Sequence, residues 1–131
     1  NAHLDTTHFL IEGMVTAPRA EFIVGVSHKP GVGHALVIGR GGTDVEELKD
    51  FTTLLLPISV AQIEEALHSL RITRRLQLQE TDIAALTQTI HNIALFADHL
   101  RNKLVELDVN PILLDASGNV IAVDAYLRIR D

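Results

Sequence analysis

The sequence predicts an α+β domain in which a mixed or antiparallel sheet is covered by helices. Strand-like and helical runs follow one another without regular βαβ alternation, which argues against a doubly wound parallel sheet. One long stretch from Thr81 has helical periodicity, and two later stretches alternate with a period of two on either side of a Gly-containing turn, the pattern of a β-hairpin. A chain of 131 residues with neither internal repeat nor evident linker has the size of one lobe around one core.

His8, Phe9, Leu10 and Ile11, followed by Met14 and Val15, read as a first strand, and residues 21–26 as a second after the turn around Pro18. Ala35, Leu36, Val37 and Ile38 form a third apolar run that enters a tight turn at Gly39-Arg40-Gly41-Gly42. A short helix is expected next, because Thr43 and Glu46 have the spacing of a capping box, in which a hydroxyl and a carboxylate satisfy two otherwise orphan backbone donors. Residues 51–56 read as a strand. Ser59 and Gln62 repeat the capping spacing, and Ile63, Ala66, Leu67 and Leu70 follow at helical intervals.

In the long helix Ile83, Leu86, Ile90, Ile93, Ala97 and Leu100 fall on one face, while Gln88, His91 and Asp98 fall elsewhere. Residues 105–110 and 123–129 then form the hairpin, with its turn at Asp115-Ala116-Ser117-Gly118-Asn119.

Composition narrows the function. Hydrophobic residues are 47% of the chain and charged residues 21%, a globular balance, and no apolar run approaches the roughly 20 residues that span a bilayer. With 11 Lys and Arg against 17 Asp and Glu, the net charge of −6 repels a nucleic-acid backbone, so neither nucleic acid nor membrane is an expected partner. The absence of Cys removes disulfides and thiolate metal sites and fits a cytoplasmic protein. A strand-like run so soon after Asn1-Ala2 suggests a piece of a longer protein.

The chemistry concentrates in the hairpin. Glu106, Asp108 and Asn110 project from one face of its first strand, and Asp124, Tyr126 and Arg128 from one face of its second. A turn centred on Ser117 sets Asn110 opposite Asp124 and Glu106 opposite Arg128, so that the polar faces coincide; a one-residue slip would put them on opposite faces. In the centred register Asp108, Asn110 and Asp124 offer carboxylate and amide oxygens, a ligand set for a hard cation such as Mg²⁺ or Mn²⁺ that leaves positions for phosphate and water. That chemistry points to phosphoryl transfer. Spacing alone favours the plainer reading, the wet face of a sheet.

The string Glu106-Leu107-Asp108-Val109-Asn110-Pro111, followed by Asp124 within Ala122-Val123-Asp124-Ala125, resembles the closing motif of the ATP-grasp domain of ADP-forming (NDP-forming) acyl-CoA synthetases, relatives of the succinyl-CoA synthetase β subunit. The resemblance continues in order along the chain. Glu21-Phe22-Ile23-Val24-Gly25-Val26 is similar to the family's E-[LF]-[IL]-[IV]-G-V strand, and Gly39 to Gly42 with Glu46, Leu48, Lys49 and Asp50 to its G-x-G-G…E-x-L-K-D segment. Leu56-Pro57 is similar to the strand end that follows.

The resemblance implies the second lobe of a grasp fold, with ATP held between two α+β lobes. It assigns Asn110 and Asp124 to the metal of the metal–nucleotide, Asp108 to their support, and the backbone of Glu12, Gly13, Met14 and Val15 to the adenine. It further implies Mg²⁺ (or Mn²⁺) as cofactor, ATP, CoA and a small carboxylic acid as substrates, and a first lobe and CoA-binding part in the same or a partner chain. The expected activity is that of an acid–thiol ligase in the full-length protein, with the isolated lobe inactive; a degenerate sensor or regulatory module of a protein acyltransferase is the alternative.

Two segments depart from the family pattern. Its Asp-Pro-x-Phe-Gly-Pro loop stands here as Lys29-Pro30-Gly31-Val32-Gly33-His34, and its Gly-x-Arg-Gly element as Arg74-Arg75-Leu76-Gln77-Leu78-Gln79. Either a different acyl acid or a regulatory lobe accounts for both. Gly39 to Gly42 ahead of a helix fits a tight strand-to-helix turn better than a phosphate cradle. No two of the seven His stand at i, i+2 or i, i+4, so a zinc site is not expected, and His91 and His99 read as solvent-facing or capping residues. Arg128 has two readings, a phosphate contact or a partner for Glu106.

Overall fold

The computed structural model of the chain describes residues 11–42 and 49–130. Strands β1 (Ala20–Lys29) and β2 (Gly33–Arg40) form a hairpin, followed by β3 (Phe51–Leu55), helices α1 (Val60–Ser69), α2 (Arg71–Arg75) and α3 (Glu80–His99), and strands β4 (Leu104–Leu114), β5 (Val120–Ala122) and β6 (Ala125–Ile129). The sheet runs β3-β2-β1-β4-β5, with β6 also on β4, and every pairing is antiparallel. This is the α+β class the sequence predicts, in its antiparallel form.

Alternation fixes which side of the sheet is covered. Phe22, Val24 and Val26 of β1, Leu36 and Ile38 of β2, and Leu107, Val109, Ile112 and Leu114 of β4 are buried in one cluster with Ile63 and Leu67 of α1 and Ile83, Leu86, Ile90, Ala94 and Ala97 of α3. Both helices therefore lie on one face of the sheet, and burial of their apolar stripes supplies the driving force for the lobe. Helix α1 starts where the sequence places it: Ser59 Oγ accepts the Gln62 N–H at 3.3 Å, and Gln62 Oε1 accepts the Ser59 N–H at 3.0 Å.

Helix α3 begins at Glu80, one residue before the expected Thr81, because the Asp82 carboxylate accepts the Gln79 N–H at 3.0 Å. The same carboxylate takes a bidentate pair from Arg19, at 2.8 and 3.1 Å, which ties the start of β1 to the helix. Asp82 is 4% exposed, and the Arg19 hydrogen bonds hold its carboxyl below the usual range against the opposing effect of burial.

Three expectations need correction or fall away. Residues 11–16 form no strand, and Ile11 and Met14 are 92% and 85% exposed. An extended run becomes a strand only by pairing, and both edges of β1 are already taken by β2 and β4. Arg71–Arg75, which the sequence left without an element, is a short helix whose first N–H groups, of Arg71 and Ile72, donate to the Asp50 carboxylate at 2.8 and 2.7 Å. Residues 8–10 of the first expected strand and the Thr43/Glu46 capping box lie outside the described residues.

Candidate functional site

The turn at Asp115 to Asn119 sets the register of everything around it. The Asp115 carboxylate accepts from Ser117 N–H, Asn119 N–H and Asn119 Nδ2, each at 2.8 Å, and Gly118 takes φ +85°. Those hydrogen bonds, the Asn119 amide foremost, hold the Asp115 carboxyl below the usual range. The turn inserts no slip: Ile112 lies opposite Ala122, Val109 opposite Ala125, and Glu106 opposite Arg128. This is the centred register, and the two polar faces coincide.

Between β5 and β6 the ladder is carried by backbone bonds from Asn110 N–H to the Asp124 carbonyl, 3.1 Å, and from Val123 N–H to the Pro111 carbonyl, 3.0 Å. Asn110 therefore meets Asp124 across the strands. The Asp124 carboxylate accepts its neighbour's Ala125 N–H at 2.8 Å.

Against β1 the same strand is not regular. The register shifts between Phe22 and Val24, so Asn110 and Pro111 both fall opposite Ile23 in a bulge. The bulge resolves a conflict in the sequence. Without it, alternation from Leu107 and Val109 would send Ile112 and Leu114 to the face of Asp108; with it, both are 0% exposed in the core.

The uncovered face of the sheet is then read in rows. Arg128, Glu106, Ser27, Ala35 and Leu55 form one; Tyr126, Asp108, Gly25, Val37 and Thr53 the next; Asp124, Asn110, Ile23, Gly39 and Phe51 the third. The acidic residues occupy the β4/β6 side and the apolar ones the β2/β3 side, where Ile23, Val37, Gly39 and Phe51, with Arg40 and Asp50 at one end, line a shallow recess of about 200 Å³. Gly25 lies beside the Asp108 carboxylate, where a Cβ would stand in ordinary contact, 3.7 Å from its Oδ1.

Charge on this face is left uncompensated at its centre. Burial raises the Asp108 carboxyl above its ordinary value, and the carboxylates of Glu106 and Asp124 push it further. Arg128 does not relieve Asp108; its Nη2 pairs with Glu106 Oε2 at 3.2 Å, the second of its two sequence readings. Asp108, Asn110 and Asp124 are all exposed and present only oxygen acceptors and one amide, a donor set suited to a hard divalent cation. The structure thus brings the three expected metal residues onto one open face.

Glu12, Gly13 and Met14 are exposed and Val15 partly so, in irregular chain ahead of β1. Among the described residues one other group of metal-type donors exists, Glu64, His68 and Glu80, all exposed on the helical side. Asp50 is a residue the sequence undervalued: its carboxylate caps α2 across the fold, and only a search for a partner to the uncapped Arg71 N–H would have found it.

Comparison with known proteins identifies the family of the fold. The ATP-grasp domain family matches residues 1–129. The β subunit of an ADP-forming acetate–CoA ligase II of Pyrococcus furiosus is 29% identical over 118 residues, 86% of this chain and 50% of that protein. An ADP-forming 4-hydroxybutyrate–CoA ligase of Nitrosopumilus maritimus is 30% identical over 102 residues, 75% of this chain and 14% of that protein. The chain thus spans half or less of these relatives. A crystal structure from Pyrococcus horikoshii Ot3 superposes with TM-score 0.78 and 29% identity, over 88% of this chain and 50% of that one. An acetyl-coenzyme A synthetase of Ca. Korarchaeum cryptofilum, solved with coenzyme A and Mg-AMPPCP, shares the fold with TM-score 0.74 at 24% identity, over 88% of this chain and 55% of that one. The chain belongs to the ATP-grasp domain family, and ADP-forming acyl-CoA ligases are among its relatives.

Proposed function

We propose that this chain is the metal–nucleotide lobe of an ADP-forming acyl-CoA synthetase, an enzyme that joins a small carboxylic acid to CoA at the expense of ATP. The observation that carries the reading is the hairpin register, which sets Asn110 against Asp124 on an open face with Asp108 beside them. Asn110 and Asp124 hold Mg²⁺ or Mn²⁺ on the nucleotide through their side-chain oxygens, and Asp108 supports them. The ion, when bound, supplies positive charge to the phosphate oxygens as charge develops there.

The residues of the chain then have separable tasks. Asp108, crowded by Glu106 and Asp124, gains most from a cation that cancels the repulsion. Arg128 is occupied by Glu106 and keeps that acid from competing for the ion. The backbone of Glu12 to Val15, in irregular chain without strand partners, offers N–H and C=O groups to the adenine edge. The other half of the site, including a first lobe and a CoA-binding part, comes from elsewhere in the same or a partner chain.

The test is ADP release by the full-length protein with Mg-ATP, CoA and a panel of carboxylic acids, beside Asn110→Ala and Asp124→Ala. Turnover that needs both acid and CoA and is lost in both variants is the expected result. Nucleotide binding without turnover on any acid would overturn the ligase reading.

A further inference from the structure

The uncovered acidic face is not the only place where charge gathers. Where β1 begins, β2 ends and α2 packs against them, Arg19, Arg40, Gly41, Asp50, Arg71 and Arg75 line an open cavity of about 540 Å³. That volume lies within the range of small-molecule sites. Four of the chain's 11 Lys and Arg line it, in a protein of net charge −6.

Those four arginines are not equivalent. Arg19 is committed to Asp82 through its bidentate pair. Among the described residues no ion pair engages Arg40, Arg71 or Arg75. Of the two acids in the lining, Asp50 spends both carboxylate oxygens on the Arg71 and Ile72 N–H groups. Arg40 lies opposite Phe22 at the end of the sheet, where it borders both this cavity and the recess of Ile23 and Phe51.

The walls are fixed by contacts that do not use the Arg40, Arg71 or Arg75 side chains. Gly41 donates its N–H to the Glu21 carbonyl at 2.7 Å and sits so close that a Cβ would meet the Glu21–Phe22 backbone at 3.2 Å. Asp50 anchors α2, and the Arg19–Asp82 pair anchors the chain before β1. Guanidinium forks around a braced cavity match the oxygens of a phosphate, several forks call for more than one negative charge, and Pro18, Ile72 and Leu76 add apolar wall.

We propose that this cavity binds a phosphorylated small-molecule anion of charge two or more, at the end of the sheet where β1 begins and β2 ends, apart from the metal–nucleotide hairpin. The proposal does not rest on the ligase reading. It takes up Gly39 to Gly42 and Arg74-Arg75, which the proposed function leaves unused: Arg40, Gly41, Gly42 and Arg75 meet in one cavity.

The experiment is calorimetric titration of the metal-depleted protein with pyrophosphate, and with acetate as a singly charged control. Saturable pyrophosphate binding is expected, with acetate at least tenfold weaker. Affinity should fall at least tenfold in Arg40→Gln/Arg75→Gln and stay within twofold in Asp124→Asn. Amide chemical shifts on titrating the unaltered protein should move at Gly41, Gly42 and Ile72, a readout independent of whether the double variant folds. No saturable binding, shifts centred on Asn110 and Asp124, or equal affinity in the double variant would each overturn the proposal.

Discussion

Strand β4 has two faces that differ in nearly every physical respect. On one, Leu107, Val109, Ile112 and Leu114 are buried beneath α1 and α3. On the other, Asp108 and Asn110 are exposed and Glu106 half-exposed, with β6 carrying Asp124, Tyr126 and Arg128 beside them. The covered face gains free energy from apolar burial. The open face loses some, because burial and two neighbouring carboxylates press on Asp108. Strain of this kind is expected where a cation is to be held. Stability and the proposed function thus fall on opposite sides of a single strand.

The largest effect that would sharpen this division is on the covered face. Phe22 is 0% exposed, and Phe22→Ala should cost about 3–5 kcal/mol of folding free energy, read as a lowered denaturation midpoint. If stability were spread over both faces, Asp124→Ala would cost a comparable amount. Instead, Asp124→Ala should change stability by only about 0.5 kcal/mol while lowering the proposed ligase turnover of the full-length protein by about a hundredfold, about 2.7 kcal/mol. Chemical denaturation and steady-state kinetics on the same preparation decide between these.

Asp82 is a polar residue on the stability side of the division. Asp82→Asn should cost about 2 kcal/mol at neutral pH, because it weakens the charge-assisted pair with Arg19. Its carboxyl is depressed below the ordinary value of 3.8, so the contribution is complete above that pH and is lost as pH falls through the folded-state value. The stability gap between wild type and variant should therefore be constant from neutrality down to about pH 5 and shrink below pH 4. A gap that stayed constant to pH 2 would show that the ion pair is not its source.

The smallest effect is on the open face and has the opposite sign. Asp108→Asn removes one of three clustered carboxylates and should stabilise the metal-free protein by a few tenths of a kcal/mol, on the order of a like-charge pair relieved. The same variant should weaken Mg²⁺-dependent nucleotide binding. A loss of stability in metal-free buffer would break the comparison, since it would make Asp108 a structural residue.

Much of the site was legible because hairpins obey local rules. Residues 105–110 and 123–129 alternate, and the turn residues Asp115, Gly118 and Asn119 satisfy one another within five positions, so the register that pairs Asn110 with Asp124 follows from nearby residues. Capping at Ser59 and the buried stripe of α3 are local in the same sense. The strand expected from His8 through Val15 had no such support: its apolar pattern is a local signal, but a strand needs a neighbour, and residues 11–16 have none among the described residues.

Alone, then, the sequence determined the order of β1 to β6 with the helices α1 and α3, the covered helix faces and the oxygen-rich hairpin, since each depends on contacts a few residues apart. The tertiary structure alone decided the bulge opposite Ile23, the Arg19–Asp82 pair, the Asp50 cap on α2 and the meeting of Arg40 with Arg71 and Arg75. Those join residues about 20 to nearly 90 positions apart, and chain entropy leaves such contacts undetermined until the core has chosen which face each strand presents.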